Sequence, residues 1–400
     1  MELRINRKAY LDQLTQWREK EMIKVVTGVR RCGKSTLFSL YIDFLKSQGV
    51  SDEQIVCINL EDMDHADLLN DRSLHDYVRS RLLGDRWTYV FIDEVQNCAD
   101  YERAVSSLFL RKKTDIYLTG SNAHLLSGEL ATKLSGRFVE IKMLPFSFSE
   151  FSEAVEVSDP HERFGLYMNM GGFPYAAGLI DQSSAHGQYL EGIYNTVLVK
   201  DVLMRKTIGD SALLKSVVRF LADNAGNPVS AKKIADTLSS FGRPTHSSTV
   251  DHILSALTDA YLFYKVNRFD VKGKLHLKTE CKYYICDTGL RNMILGTQGR
   301  DIGRQIENIV YLELIRRGYI VSIGKAGRSA EIDFVAVRDK NTEYFQVSAS
   351  VLDETTLQRE IRPFDQIEDH YPKYLLTLDK YESDHEGIRQ KNLVTWLLEE

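Results

Sequence analysis

Residues 22–47 constrain the fold of this chain more than any other stretch. Apolar residues 23–26 are followed by Gly28, and an amphipathic segment begins after Lys34. This succession predicts a buried strand, a glycine-containing loop and a helix. The loop has the pattern G-x-x-x-x-G-K-S. Backbone N–H groups of such a loop, together with the positive end of the helix dipole, favour binding of an anionic phosphate group.

The spacing of this pattern assigns roles to individual side chains. Lys34 is at the position that reaches the β- and γ-phosphates of a nucleotide, and Ser35 is at the position that binds Mg²⁺. We therefore expect ATP and Mg²⁺ as cofactors. The alternative is an ordinary glycine turn, but the pattern occurs here in the strand–loop–helix context that phosphate binding requires. The expected nucleotide-binding residues are Gly28, Val29, Arg30, Arg31, Cys32, Gly33, Lys34, Ser35 and Thr36.

A second motif consists of an apolar run that ends in two carboxylates, Asp93 and Glu94. The carboxyl ends of buried parallel strands are where α/β sheets bind ligands. We expect Asp93 to hold Mg²⁺ beside Ser35, and Glu94 to act as the general base that activates water. The alternative is a solvated strand end without a catalytic role.

Two further polar residues complete the predicted catalytic set. Asn122 follows the apolar strand 115–119 and would orient the attacking water or sense the γ-phosphate. The alternative for Asn122 is turn or helix-cap chemistry. Arg137 would reach the nucleotide of a neighbouring subunit as an arginine finger. The alternative for Arg137 is an ordinary surface arginine.

The composition limits the location and the partners of the chain. A length of 400 residues suits two or three domains. The formal net charge of -5 does not mark a nucleic-acid binder. The five cysteines form no C-x-x-C pair, which favours a reduced, cytoplasmic protein without a zinc site. Because no apolar run approaches the roughly 18 residues of a membrane span, no membrane partner is expected.

Several motifs occur in the order typical of one protein family. They are TGVRRCGKS (27–35), FIDEVQ (91–96), LTGSN (118–122), LSGRF (134–138), LPFSFSEF (144–151), GGFP (171–174), DTGL (287–290), EN (307–308) and EIDF (331–334). The chain thereby resembles the bacterial and archaeal AAA-type P-loop ATPases that carry a C-terminal domain of unknown function. The resemblance covers nearly the whole chain. It implies an α/β AAA-type ATP-binding core with a parallel sheet, and assembly as a homo-oligomer.

The alternation of strands and helices, and its later change, suggest four parts. Residues 1–157 are expected to form the ATPase core and residues 158–210 a helical lid or connector. Residues 211–280 fit a winged-helix module of three helices followed by a hairpin (262–267 and 274–277). Residues 281–400 have the element order of a restriction-endonuclease-like α/β domain.

The winged-helix module offers little for reading DNA sequence. Its third helix presents Ser248, Asp251 and His252 but no arginine or lysine, so the usual contacts to guanine are absent. Basic residues lie outside that helix: Lys232, Lys233, Arg243, Arg268, Lys272 and Lys274. These residues would grip the phosphates of double-stranded DNA without sequence preference. A purely structural module is the alternative.

The nuclease-like part lacks two groups of a complete metal site. Glu307 and Asp333 fit its helix and strand carboxylates, but Gln346 and Ser348 replace the acid and the lysine of the expected E-x-K. A lysine would have to come from elsewhere, from Lys325 or Lys340. We therefore expect a degenerate site at Glu307, Asp333 and Gln346.

These observations lead to one main hypothesis and two alternatives. The main hypothesis is an AAA-type ATPase whose nucleotide state controls C-terminal modules that contact DNA or an unidentified protein. The first alternative is a slow nucleotide-gated switch that binds protein and has no DNA role. The second is a metal-dependent nuclease gated by ATP.

Overall fold

The computed structural model describes residues 4–123, 136–203, 208–271, 275–296, 301–326 and 330–399. The chain divides into two compact units. The first comprises Met1–Leu144 with Asp259–Tyr261, and the second comprises Pro145–Thr258 with Leu262–Glu400. Within the described ranges, no helix is both long enough and apolar enough to cross a membrane.

The first unit is built on a parallel sheet. Its helices are α1 (Lys8–Gln16), α2 (Lys34–Ser47), α3 (Asp71–Arg79) and α4 (Tyr101–Phe109). Its strands are β1 (Ile23–Thr27), β2 (Ile55–Asn59), β3 (Thr88–Asp93), β4 (Thr114–Gly120) and β5 (Phe138–Lys142). They pair in parallel in the order β2-β3-β4-β1-β5. The predicted α/β fold with a parallel sheet is confirmed.

Helices cover both faces of this sheet. Because successive side chains of a strand point to opposite faces, Val90 and Ile92 share one side and Phe91 lies on the other. Val90 and Ile92 belong to a buried cluster that includes residues of α3 and α4. Phe91 stacks on Tyr117 with ring centroids 4.7 Å apart and meets Phe38 of α2 at 5.1 Å. With both faces buried, ligand chemistry is confined to the ends of the strands.

The second unit combines helices with a larger mixed sheet. Its helices are α5 (Phe148–Ala154), α6 (Pro160–Met170), α7 (Pro174–Ala177), α8 (Ser183–Thr196) continuing as a π-helix (Val197–Leu203), α9 (Ser211–Asp223), α10 (Ala231–Ser240), α11 (Ser247–Asp259), α12 (Thr288–Leu295), α13 (Ile302–Arg316), α14 (Glu354–Ile361) and α15 (Leu393–Leu398). Its strands are β6 (Phe263–Asp270), β7 (Leu275–Ile285), β8 (Ile320–Ala326), β9 (Ala330–Arg338), β10 (Asn341–Ser348), β11 (Lys373–Thr377), β12 (Ser383–His385) and β13 (Ile388–Asn392). Their order is β12-β13-β11-β10-β9-β8-β6-β7.

The hairpin of the predicted winged-helix part is continuous with the C-terminal sheet. The helices α9, α10 and α11 precede the β6–β7 hairpin, in the predicted order. However, β6 also pairs in parallel with β8, and β7 runs through the predicted boundary between residues 280 and 281. Hydrophobic periodicity indicates a strand but not its lateral neighbour, so the sequence could not show this pairing. The four-part division remains a prediction.

Asp287 explains two glycine motifs of the second unit. Its carboxylate accepts hydrogen bonds from the N–H groups of Gly172 at 2.6 Å and of Leu290 at 2.8 Å, and it caps α12. A Cβ at Gly171 would lie 2.2 Å from Asp287 Oδ1, and one at Gly289 would lie 2.1 Å from the Met170 carbonyl. The motifs at 171–174 and 287–290 are therefore accounted for by close packing around a buried carboxyl.

Replacing Asp287 with asparagine should remove a pH dependence of stability. Burial raises the Asp287 pKa to about 6, although hydrogen bonds from Gly172, Leu290 and Gly289 oppose the shift. The protonated carboxyl is thus favoured in the folded state, and its stabilising contribution is lost as the pH rises through about 6. We expect this group to lower the wild-type free energy of unfolding by up to about 3 kcal/mol between about pH 4 and pH 7.

Urea unfolding of the full chain across this pH range measures the effect. Asp301→Asn, the same change at the exposed N-cap of α13, is the control and should retain the wild-type pH slope. Equal pH slopes for wild type and Asp287→Asn would contradict the assignment.

Candidate functional site

The loop between β1 and α2 follows a path that requires both of its fixed glycines. Gly33 is the N-cap of α2 and has a φ of 104°, in the left-handed region that favours glycine. At Gly28, an added Cβ would lie 2.1 Å from the Met143 carbonyl oxygen. The backbone path brings the chain directly into the start of α2, where the first N–H groups of a helix have no partner within it.

Arg7 supports this loop, although the sequence offered no signal for it. Its guanidinium donates to the carbonyl of Cys32 at 3.2 Å and to that of Leu144 at 2.8 Å. Arg7 is only 3% exposed. Cys32 is also buried, and burial raises the pKa of its thiol. Arg7 therefore holds the loop to the chain that follows β5, and the Cys32 thiol is kept protonated.

Lys34 and Ser35, at the start of α2, point toward the end of β3. The Lys34 ammonium donates to the carbonyl of Gly28 at 3.1 Å and lies 3.6 Å from Glu94 Oε1. Lys34 is 4% exposed. The Ser35 side chain is hydrogen-bonded to Asp93. The structure therefore brings together the four residues for which the sequence predicts phosphate, metal and water chemistry.

Thr119 of β4 connects the two carboxylate residues. Its hydroxyl donates to Asp93 Oδ1 and accepts from the backbone N–H of Glu94 at 2.9 Å. Burial raises the Asp93 pKa, and the hydrogen bonds from Ser35 and Thr119 oppose that shift. Thr119 was not singled out from the sequence, yet it stands next to the Gly-Ser-Asn that ends the strand. That position was the available signal, because β3 and β4 are paired.

Glu94 is buried but surrounded by groups that favour its ionised form. Burial alone would raise the Glu94 pKa, but Lys34 and Arg30, with hydrogen bonds from Gln96 and Ser121, lower it overall. Its backbone lies in the left-handed region, with a φ of 51°. Such a backbone conformation in a residue other than glycine is sparsely populated and tends to occur at functional sites. Glu94 is thus an ionised carboxylate in a site largely shielded from water.

The remaining predicted residues lie in different places. Asn122 is buried directly after β4, beside Ser121. Arg30 donates to Glu61 Oε1 at 2.7 Å. Arg137 is exposed and precedes β5, with its guanidinium 5.8 Å from the ring centroid of Phe109. Because β5 is parallel to β1, Arg137 lies at the amino-terminal ends of the strands. The phosphate loop of its own chain follows the carboxyl end of β1, at the other end of the strands.

The donor set of this site fits ATP and Mg²⁺. A hydroxyl oxygen from Ser35 and a carboxylate from Asp93 are the hard ligands that Mg²⁺ prefers, and they are already in contact. Lys34 supplies the positive charge that phosphate groups require, at the N-terminal end of α2. The assignment of individual roles stays a prediction.

A second cluster forms in the second unit around the predicted vestigial nuclease residues. Glu307 lies on α13, Asp333 on β9 and Gln346 on β10. The Asp333 backbone N–H donates to Gln346 Oε1 at 3.2 Å. A lysine for which the sequence offered no signal, Lys282 of β7, lies beside them, with its ammonium 3.0 Å from Glu307 Oε1. In the described part of the chain, no group of three or more His, Cys, Asp or Glu residues is arranged to hold a metal ion.

Comparison with known proteins is consistent with the geometry of the first unit. Residues 20–152 match the family described as an AAA domain, and residues 161–301 match a domain of unknown function. The Walker-type ATPase of Pyrococcus abyssi has a similar structure, with a TM-score of 0.52 and 15% identity over 73% of this chain and 96% of that chain. At that identity the likeness shows the fold alone, that of a P-loop ATPase.

Sequence relatives extend beyond the AAA domain. An uncharacterized protein of Methanocaldococcus jannaschii is 29% identical over 86% of this chain and 78% of its own length. An uncharacterized protein of Haemophilus influenzae is 39% identical over 402 residues, which cover 99% of each protein. The chain therefore belongs to the same family as this Haemophilus influenzae protein, and in this chain an AAA domain is followed by a domain of unknown function.

Proposed function

We propose that this chain binds ATP with Mg²⁺ and hydrolyses the nucleotide to ADP and phosphate. One observation carries the proposal: Lys34 and Ser35 of the phosphate loop meet Asp93 and Glu94 at the end of β3. The Lys34 ammonium is suited to phosphate groups, the Ser35 hydroxyl and the Asp93 carboxylate to Mg²⁺, and the Glu94 carboxylate to accepting a proton from water. All are at or next to the carboxyl ends of parallel strands, where ligands bind in such sheets.

Binding relies on the loop and on α2. The Lys34 ammonium exchanges its contacts with loop carbonyls for the β- and γ-phosphates, and the helix N-terminus adds donors from the backbone. Ser35 and Asp93 would hold Mg²⁺, which would neutralise the charge that develops on the phosphate oxygens. Thr119 orients the Asp93 carboxylate through the hydrogen bond to Oδ1.

Water attack relies on Glu94 and on residues that follow β4. Glu94 is ionised and accepts the proton of the attacking water. Gln96 and Ser121 hold its carboxylate in place. Asn122, next to Ser121, orients the water. Arg137 lies at the amino-terminal ends of the strands, away from the nucleotide site of its own chain. It therefore acts as a finger only on the nucleotide of a neighbouring subunit, and this role requires a homo-oligomer.

The second unit contacts the partner, which is DNA or a protein, and the nucleotide state of the first unit controls that contact. Arg268, one of the basic residues expected to grip DNA, is engaged with Glu280 at 2.8 Å and with Glu331 at 3.7 Å. The exposed Lys232 and Lys233 of α10 have the charge for phosphate contacts. Lys272 and Lys274 fall outside the described residues. The engagement of Arg268 favours a second candidate, a nucleotide-gated switch that binds a protein.

ATP turnover per chain, measured across a wide range of protein concentration with and without double-stranded DNA, tests the proposal. The Lys34→Ala protein is the blank. We expect turnover above the blank that rises with protein concentration, and Arg137→Ala should abolish that rise. Turnover no higher than the blank would contradict the ATPase assignment.

The same measurement separates the two kinds of partner. An increase in turnover with DNA supports a DNA-directed ATPase. Turnover that DNA leaves unchanged supports the protein-directed switch. A rate independent of concentration would contradict the role of Arg137 between subunits, because a finger supplied by another chain acts only in the oligomer.

A further inference from the structure

The buried Lys282 ammonium lies at the centre of a partly buried group of acids in the second unit. Its Nζ is 3.0 Å from Glu307 Oε1, 2.9 Å from Glu331 Oε1 and 3.9 Å from Asp333 Oδ1. The Lys282 side chain is 4% exposed. The acids come from α13 and from β9, while the lysine comes from β7. A single cation is thus shared by three carboxyl groups from two elements, β9 and α13.

Each acid of this cluster also has a partner other than the lysine. The Tyr284 hydroxyl donates to Glu307 Oε1 at 2.6 Å. The Val347 N–H donates to Asp333 Oδ2 at 2.9 Å. Arg268 lies 3.7 Å from Glu331 Oε2. Each acid therefore has a charged or hydrogen-bonding partner besides Lys282, as buried ionic groups require.

Burial and the neighbouring charges shift the pKa values of both Asp333 and Lys282. Burial, reinforced by the nearby Glu307, raises the Asp333 pKa to about 8, although Lys282 opposes the shift. Burial lowers the Lys282 pKa, but Glu307, Asp333 and Glu331 together raise it above its usual value. The Lys282 ammonium lies where these carboxyl groups converge, so a second cation there would meet its positive charge.

The position of Gln346 also argues against a metal ion. A nuclease-like arrangement would place a second carboxylate there, but the Gln346 amide accepts from the Asp333 N–H at 3.2 Å and donates to Glu360 Oε2 at 2.9 Å. Mg²⁺ needs oxygen ligands at about 2.0–2.1 Å in near-octahedral geometry. The residues present do not fit that ion, because an ammonium stands where the carboxylates converge.

We propose that the Lys282 ammonium takes the place of the divalent cation in this nuclease-like arrangement. The cluster then serves as a metal-independent ionic link between β7, β9 and α13, and it does not cleave nucleic acid. This inference is independent of the ATPase proposal, because it rests on residues of the second unit alone. It opposes the alternative of an ATP-gated nuclease.

Mn²⁺ binding to the full chain, without nucleotide, tests the proposal. Wild type should show no Mn²⁺ site that Glu307→Gln or Asp333→Asn removes. Lys282→Met removes the cation but keeps a long side chain that can withdraw, leaving carboxyl groups free to move inward. We expect this variant to gain one Mn²⁺ site, which the further change Asp333→Asn abolishes.

Two matched controls make the gain specific to the charge at this position. Lys282→Arg keeps a cation in the cluster and should gain no Mn²⁺ site. Lys265→Met removes an exposed lysine from the neighbouring strand β6 and should also behave as wild type. Thermal unfolding gives a second readout, because Mn²⁺ at about ten times its dissociation constant should raise the Tm of Lys282→Met by about 3–6 °C.

Either of two results would overturn the proposal. The first is a Mn²⁺ site in wild type that depends on Glu307 and Asp333, which would show that a metal displaces the ammonium. The second is a folded Lys282→Met protein that binds no Mn²⁺. If Lys282→Met fails to fold, the wild-type titration with Glu307→Gln and Lys282→Arg still decides between the ammonium and a metal.

Discussion

Replacing Glu94 with glutamine should lower kcat for ATP hydrolysis by about 10²–10⁴-fold, the usual contribution of a general base. Glutamine keeps the shape of the side chain but cannot accept the proton of the attacking water. ATP affinity should be retained, because Lys34, Ser35 and Asp93 remain, so the variant should hold ATP without turning it over. Single-turnover hydrolysis and nucleotide binding, measured separately, distinguish these two effects.

Glu61→Gln is the matched control for this substitution. Glu61 also follows a strand of the same sheet and also faces Arg30, at 2.7 Å, but it is more exposed. Its loss should leave kcat within a few-fold of wild type. A Glu94→Gln protein that turns over ATP at the wild-type rate would disprove the role of Glu94 as the base.

The same site also predicts how kcat for ATP hydrolysis changes as the pH falls below neutrality. Burial disfavours the ionised form of Glu94, but Lys34 and Arg30 lower its pKa overall. A base with a lowered pKa stays ionised as the pH falls through neutrality, so Glu94 should cause no loss of kcat between about pH 8 and pH 6. A base that was buried without these cations would lose its ionised form at a higher pH.

Replacing Lys34 with alanine should weaken ATP binding by about 10–150-fold, because a hydrogen bond to a charged group contributes about 1.5–3 kcal/mol. Turnover should fall further than affinity. The Lys34 ammonium lies 3.6 Å from Glu94 Oε1 and lowers the pKa of that carboxylate. Loss of the lysine charge would therefore raise the Glu94 pKa, because burial acts in that direction. The ionised form of the base would then be less favoured. Equilibrium binding of ATP and the turnover rate measure the two effects.

Lys46→Ala provides the control for charge removal on α2. Lys46 is an exposed lysine near the other end of the helix, paired with Asp52 at 2.5 Å. Its loss should change neither binding nor turnover. Equal ATP affinity for wild type and Lys34→Ala would contradict the assignment of the loop.

The parts of the site that the sequence predicted are those that depend on local order along the chain. Apolar residues before Gly28 and amphipathic residues after Lys34 predicted β1 and α2 directly. The apolar run ending at Asp93 likewise predicted a buried strand with its acids at the carboxyl end. Because parallel strands place these ends at one edge of a sheet, the sequence also predicted that the loop and Asp93 would meet.

Other parts depend on pairing between distant segments and were missed. Arg7 reaches the carbonyls of Cys32 and Leu144 only because the chain returns past α1 after β5. Thr119 lies beside Asp93 because β3 and β4 are neighbours in the sheet. The parallel pairing of β6 with β8 was missed for the same reason, since hydrophobic periodicity along one strand does not identify the neighbouring strand.

The sequence by itself determined the phosphate loop, the strand that ends at Asp93 and is followed by Glu94, and the α/β class of the first unit. The spacing of residue types within a short stretch is sufficient to predict these features, because the local backbone geometry of a strand, loop or helix fixes where each side chain lies. Only the tertiary structure decided which lysine joins Glu307 and Asp333. Lys282 lies 25 residues from Glu307 along the chain, and the pairing of strands and the packing of α13 bring its ammonium within 3.0 Å of that carboxylate. Burial then makes the contact decisive, because a charge removed from water must find its partner within the fold.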